Sequence, residues 1–192
     1  MATDTRTRMI VATVRALQQQ GVAGMSFTDV LRSSGAARGA IYHHFPGGKA
    51  QLVAEAATRN GHDVRDFLGS LPADSPAVVV RAFLDAVRPV VQASAAGGGC
   101  AVAAVAVGTD AVSSAGEEQD GRTLQQVAAI AFTSWIDQLA ERLTTAGMAP
   151  GAAADLAATL ITLLEGAHVL CRAAGSIQPF EQVVRTASAL TG

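Results

Sequence analysis

Apolar side chains recur along this chain at helical rather than strand spacing. Ile10, Thr13, Val14 and Leu17 fall at i, i+3, i+4 and i+7, and Gly21 closes the pattern. Ser26-Phe27-Thr28-Asp29 reads as a capping box, in which the Ser26 hydroxyl and the Asp29 carboxylate satisfy backbone N–H groups orphaned at a helix start. The helix it opens is short, Phe27 to Ser34, and ends at Gly35, which enters a left-handed turn without steric cost. A third short helix is expected from about Ala37 to Phe45, with Ile41 and Phe45 stacked at i, i+4, before Pro46-Gly47-Gly48 breaks it. Lys49 then opens a fourth helix to about Leu68. Longer helices are expected over about 76–94, 122–146, 152–174 and 179–190, with a short one at 101–107. The glycine run 97–99 and the polar segment 109–121 are loops, and no internal repeat is visible.

The 152–174 helix carries two apolar stripes. Leu156, Leu160, Leu163, Ala167 and Leu170 form one seam; Ile161, Leu164, His168 and Cys171 form its neighbour. A helix apolar on two sides is buried on two sides, one against its own core and the other against a second subunit. The last helix adds Phe180, Val183 and Val184, enough for a four-helix contact across a two-fold axis. The expected homodimer interface is therefore Leu156, Leu160, Leu163, Leu170, Phe180, Val183 and Val184.

Composition narrows the fold class to all-α. Forty of the 192 residues are alanine, the best helix former, and aromatic residues make up 4%. With 49% hydrophobic and 16% charged residues the chain is globular rather than disordered. The net charge of −2 conceals an asymmetry. Residues 1–60 hold seven cations (Arg6, Arg8, Arg15, Arg32, Arg38, Lys49, Arg59) and three acids (Asp4, Asp29, Glu55), a net +4, so the remainder carries −6. A basic head on an acidic body assigns any polyanion to the head alone. The opening Thr, Asp and Arg residues do not read as a secretion leader, and the apolar run Leu156–Leu164 falls short of the roughly 20 residues a membrane span needs. The expectation is a soluble, cytoplasmic protein with no membrane partner. Cys100 and Cys171 lack metal-ligand spacing, and no cofactor or metal is expected.

Two short helices joined at Gly35 inside the basic head have the shape of a helix-turn-helix. The run Ser34-Gly35-Ala36-Ala37-Arg38-Gly39-Ala40-Ile41-Tyr42-His43-His44-Phe45-Pro46-Gly47-Gly48-Lys49-Ala50-Gln51-Leu52 sharpens that reading. It resembles the DNA-binding domain of the TetR family of transcriptional repressors. The Arg38-Gly39 pair, the Phe45–Lys49 junction and the later Gly99-Cys100-Ala101-Val102-Ala103-Ala104-Val105 are similar to the LmrA/YxaF-type branch. The chain departs from the family at Gln18, where an aromatic is usual, and at Ala37, where a polar cap or proline is usual. The resemblance implies an N-terminal helix-turn-helix DNA-binding domain (1–48) and a C-terminal helical ligand-binding and dimerisation domain (49–192).

The residues themselves agree with DNA contact. With Ile41 and Phe45 facing inward, Arg38, Gly39, Tyr42 and His43 lie toward the exposed side of the third helix. Arg38 offers a bidentate fork to guanine in a major groove. Gly39, lacking a side chain, admits close backbone approach. Tyr42 and His43 suit phosphate oxygens, as do Thr28 in the second helix and Lys49 in the fourth. Lys49, the only lysine in the chain, stands at a helix N-terminus against the macrodipole, a placement that makes sense when an anion binds there.

For the body, the resemblance implies a small-molecule effector site. Phe83, Val87, Val90, Phe132, Trp135, Leu139, Leu164 and His168 are the wall candidates, an apolar set with few polar anchors. The expected whole is a homodimeric repressor released from a pseudo-palindromic, double-stranded DNA operator by a small apolar ligand. The alternative is a helical dimeric ligand- or redox-sensing module, with Cys100 as the oxidisable group and without operator repression. An enzyme is not expected: there is no nucleophile elbow, zinc-protease motif or phosphate loop. Cys171, three residues after His168, is the nearest approach to a nucleophile–base pair.

Overall fold

A computed structural model describes residues 4–108 and 123–189, and every regular element among them is an α-helix. In chain order these are α1 (Thr5–Gly24), α2 (Phe27–Ser34), α3 (Ala40–His44), α4 (Gly48–Gly69), α5 (Pro76–Ala95), α6 (Ala101–Val107), α7 (Leu124–Thr145), α8 (Pro150–Ala174) and α9 (Gln178–Ala189). The expected loop at 109–121, a helix start at Arg122 and a helix end at Leu190 lie outside the described residues. The chain divides into two compact units. One takes the residues up to His62 together with Cys100–Ala131, and the other takes Asp63–Gly99 and the chain from Phe132 onward.

In the first unit α1 turns Met9, Ile10, Thr13 and Leu17 inward, and it packs against α2 and α6. Its regular backbone stops at Gly21 (φ 68°, ψ −178°), beyond which Val22 is buried again. Polar Thr13 is fully buried because its hydroxyl donates to the Met9 carbonyl at 2.8 Å, so no polar group is left unmade. α2 begins as its sequence dictates: the Ser26 oxygen accepts the Asp29 N–H at 3.1 Å. The reciprocal half of the box differs, since the Asp29 carboxylate accepts the Ser26 hydroxyl at 2.7 Å and pairs with Arg32. Gly35 ends α2 in the left-handed region (φ 67°, ψ 22°), where a side chain would be strained.

The third helix is shorter than its sequence predicts. It starts at Ala40 rather than Ala37, after a tight turn closed by the Ala40 N–H on the Ala37 carbonyl at 2.9 Å. Ala37 has no side-chain oxygen to cap an earlier start, and Gly39, two residues on, is a poor helix former. Ile41 and Phe45 are both buried, as their spacing requires.

In the second unit α5 packs against α8 and α9. Ser75 caps it by accepting the Val78 N–H at 3.3 Å, and Pro76 fills the first turn, where its missing N–H costs nothing. α8 buries Ala153, Ala157, Leu160, Ile161, Leu164, Ala167, His168 and Cys171 along one continuous stripe. A fully buried leucine contributes about 1.5–3 kcal/mol by removal from water. By length and composition alone α8 is apolar enough to cross a membrane, and it turns its buried stripe inward within its own unit.

The two seams read from the sequence of α8 part company. Ile161, Leu164, His168 and Cys171 all point inward, whereas the other seam splits. Leu160 is 1% exposed, Leu156 and Leu163 are half-buried, and Leu170 is 58% exposed beside Val169 at 67%. Phe180 of α9 is also buried, with the Arg88 guanidinium 5.6 Å from its ring centre. Leu160 and Phe180 therefore have no area left for a partner. The apolar residues of the expected interface that keep surface are Leu156, Leu163, Leu170, Val183 and Val184.

Candidate nucleic-acid interface

The buried pair Ile41 and Phe45 fixes which side of α3 faces water. Arg38, Gly39, Tyr42 and His43 are exposed, as is Thr28 on α2, while Lys49 in the first turn of α4 is half-buried. Tyr42 is 69% exposed, yet it does not hang free, because Phe27 meets its ring edge-on at 6.3 Å. Thr28, Arg38 and Tyr42 converge on one groove of about 520 Å³, floored by Leu31, Ala36 and Ile41 and rimmed by Arg32. Gly39, His43 and Lys49 lie outside that groove. His43 instead stands edge-on to His44, ring centres 4.9 Å apart.

Arg38 sits in the turn before α3, not on its first turn, because the helix begins two residues later. Gly39 has ordinary helical backbone (φ −70°), and a Cβ there would meet nothing within 4 Å. The fold thus makes no demand for glycine at 39, in contrast to Gly35, so any reason for its bareness lies outside the protomer.

Electrostatics in the head differ from a plain charge count. Arg6 pairs with Glu55, Arg32 pairs with Asp29, and Arg8 Nε donates to the Ser34 carbonyl at 3.0 Å. Arg38 and Lys49 have no ion-pair partner among the described residues. Among the described residues, the two cations assigned to DNA from the sequence thus have no acid partner, a feature that charge counting did not supply. The α3–α4 junction is held by the Gly48 N–H on the Phe45 carbonyl (3.0 Å) and by the Gly47 N–H on Gln51 Oε1 (2.8 Å). These bonds place Lys49 just beyond the end of α3.

Residues 9–56 match the sequence profile described as bacterial regulatory proteins, tetR family, and residues 76–186 match that of the transcriptional regulator LmrA/YxaF-like C-terminal domain. The chain belongs to the TetR family. It is similar to the uncharacterized HTH-type transcriptional regulator Rv0196 of Mycobacterium tuberculosis, 34% identical over 94% of this chain and 90% of that one. It is also 26% identical to the HTH-type transcriptional regulator LmrA of Bacillus subtilis, over 92% of this chain and 90% of the relative. The crystal structure of a TetR transcriptional regulator from Legionella pneumophila shares the fold, with a TM-score of 0.82, 20% identity, and coverage of 100% and 99% of the two chains. This TetR-family chain is accordingly a DNA-binding transcriptional regulator, and its family is one of regulators rather than enzymes.

In the body of this TetR-family regulator, the wall candidates Phe83, Val87, Trp135, Leu139, Leu164 and His168 are all buried. Phe132 is half-buried and meets Trp135 edge-on at 5.1 Å. Val90 is 45% exposed and leaves the set: it lies on the water-facing side of α5. One functional-looking contact has no signal in the sequence. Ser94, fully buried on α5, brings its hydroxyl 2.6 Å from His168 Nδ1, across 74 residues. The same hydroxyl lies 3.3 Å from the Val90 carbonyl, leaving Nε2 as the ring's remaining polar atom. Burial pushes the imidazole down to about 4, so it is neutral at physiological pH. Cys171 is buried, while the Cys100 sulfur accepts the Ala103 N–H at 3.4 Å as the cap of α6.

Proposed function

We propose that this regulator is a homodimeric repressor whose two heads read a pseudo-palindromic operator and which a small apolar ligand releases. The observation that carries the reading is the exposure of Arg38, Gly39, Tyr42 and His43 beside the buried Ile41–Phe45 pair. Arg38 reads a base edge, Gly39 admits the sugar–phosphate backbone, and Thr28, Tyr42, His43 and Lys49 grip phosphates. Residues 1–48, joined by Lys49 at the start of α4, do the reading; the rest of 49–192 pairs the protomers and senses the effector, in the cytoplasm.

Support for pairing is the exposed apolar strip of Val169 and Leu170 with the half-buried Leu156, Leu163, Val183 and Val184. Support for an uncharged effector is the neutral His168, a polar handle among Phe83, Val87, Trp135 and Leu164. Ligand and operator then oppose each other reciprocally, each weakening the other by the same factor. Redox sensing through Cys100 finds less support, since that sulfur serves as a helix cap.

The test is selection of bound duplexes from a randomised pool at physiological salt, with light scattering on the free protein. A two-fold symmetric motif and a dimeric mass are the expected results. An asymmetric single half-site bound by a monomer overturns the reading.

A further inference from the structure

Glu55 is out of place on electrostatic grounds. It is one of three acids among the first sixty residues, on a head that meets a polyanion, where each uncompensated negative charge weakens binding. Its side chain is 18% exposed on α4, and both carboxylate oxygens are engaged. One oxygen pairs with Arg6 of α1; the other accepts Gln51 Nε2 at 2.9 Å. Gln51 in turn uses its carbonyl oxygen to hold the Gly47 N–H at 2.8 Å. Arg6 lies over the Phe45 ring, 5.2 Å from its centre, and Phe45 is the residue that ends α3. The contacts therefore close a ring: Phe45, the Gly47–Gly48 turn, Gln51, Glu55, Arg6 and back to Phe45. Two residues further along α1, Arg8 holds the Ser34 carbonyl just ahead of the turn that leads into α3. The first turn of α1 thus reaches the segments on both sides of a helix only five residues long.

We propose that Glu55, with Arg6 and Gln51, is a positioning unit for DNA reading: it sets the end of α3 and the start of α4 relative to each other without touching DNA. The inference rests on α3 being the DNA-reading element and is independent of dimerisation, repression and effector. A helix of five residues has too few internal hydrogen bonds to hold its own direction. The ring supplies that direction through an ion pair, two hydrogen bonds and a cation–ring contact, all between groups that the turn alone would leave to water.

The experiment measures affinity of the full-length protein for two duplexes, one selected by the wild-type protein from a random pool and one of scrambled sequence. The variants are Glu55→Gln, Glu55→Ala, Arg6→Ala and the double variant Arg6→Ala/Glu55→Ala. Positioning predicts that each single variant loses about tenfold on the selected duplex, the scale expected for members of one coupled network. Affinity for the scrambled duplex holds or rises in the Glu55 variants, and the double variant loses no more than the worse single one. Glu55→Gln retains an acceptor for Gln51 and loses less than Glu55→Ala. Tighter binding of both duplexes by the Glu55 variants would reduce Glu55 to a surface charge and overturn the proposal. Equal losses on both duplexes for Arg6→Ala, with a salt slope lower by about one, would make Arg6 a phosphate contact and overturn it too. Loss of helical circular dichroism in both Glu55 variants would make the ring a support for the whole fold, which likewise overturns the positioning role. Failure of the wild-type protein to enrich any sequence sinks the DNA-reading assignment and this inference together; enrichment with unaffected variants sinks this inference alone.

Discussion

α3 and α8 become helical by opposite routes. α8 has 25 residues, a proline in its first turn, a left-handed Gly175 at its end and an unbroken buried stripe. Length, the proline and glycine at its ends, and burial all favour the same conformation, so α8 needs little from its neighbours beyond something apolar to lie on. α3 has five residues, neither a proline at its start nor a left-handed glycine at its end, and a single buried residue within its bounds, Ile41. Its order is imported from Phe45 just past its end, from the arginines of α1 and from the turn that Gln51 holds. The element proposed to read DNA is therefore the one least able to form alone. Such an arrangement leaves its exposed residues free of packing duties, at the cost of dependence on a few distant side chains.

The widest separation of the two regions should come from core truncations. Phe45→Ala is expected to destabilise the protein by about 3–5 kcal/mol in denaturant titration and to abolish operator binding even where the rest of the chain stays folded. Leu160→Ala in α8 should cost about 2–5 kcal/mol while the folded fraction still binds operator at wild-type affinity. Equal loss of operator affinity in both would erase the distinction.

The body also has its own pH signature. His168 is depressed to about 4 in the folded protein, so the unfolded chain takes up that proton first. Its contribution is fully present above about pH 6.5 and disappears as the pH falls toward 4, on the order of 3 kcal/mol in total. Thermal melts between those pH values should show the loss, and His168→Gln should flatten it. An unchanged slope in that variant assigns the acid sensitivity to other groups.

Within the head, Arg38→Ala is expected to relax preference at one base position per half-site by about 1–3 kcal/mol in a competition assay against single-substituted operators. A uniform loss across every sequence makes Arg38 a phosphate contact. The smallest effects divide two glycines four residues apart. Gly35→Ala should cost about 1–2 kcal/mol of stability, because its φ of 67° is strained for any side chain. Gly39→Ala should leave the melting temperature unchanged or slightly raised and weaken operator binding, since only DNA stands to meet the added methyl. Stability loss at Gly39 would contradict the open space around it.

What can be read from sequence follows the range of the forces involved. The Ser26 cap, the Gly35 turn, Pro76 and the Gly21 break act within a few residues, and the helices they bound lie within a residue or two of expectation. The start of α3 departs from expectation because periodicity marks Ile41 and Phe45 as inward positions but does not weigh the missing cap at Ala37 and the weak helix former Gly39. The inward side of α8 is legible from periodicity, but which of two adjacent apolar stripes remains outside is not, because spacing cannot say how wide the covering surface is. The Arg6–Glu55 and Ser94–His168 contacts join residues 49 and 74 positions apart, and no periodic signal marks them. On the proposed reading face, the sequence ranks residues by chemical type. It takes the structure to show that Arg6 and Arg32 are tied to acids while Arg38 and Lys49 have no acid partner among the described residues.

The solitary lysine has a practical corollary. Lys49 is the only side-chain amine in the chain, and it stands at the junction where α3 gives way to α4. An acylating reagent applied to the folded protein thus has one side-chain amine to attack, and that amine lies beside the proposed reading face. Its rate of modification, followed by mass spectrometry, becomes a site-specific clock for occupancy of the head, slowing when nucleic acid covers it and indifferent to events that leave the head bare.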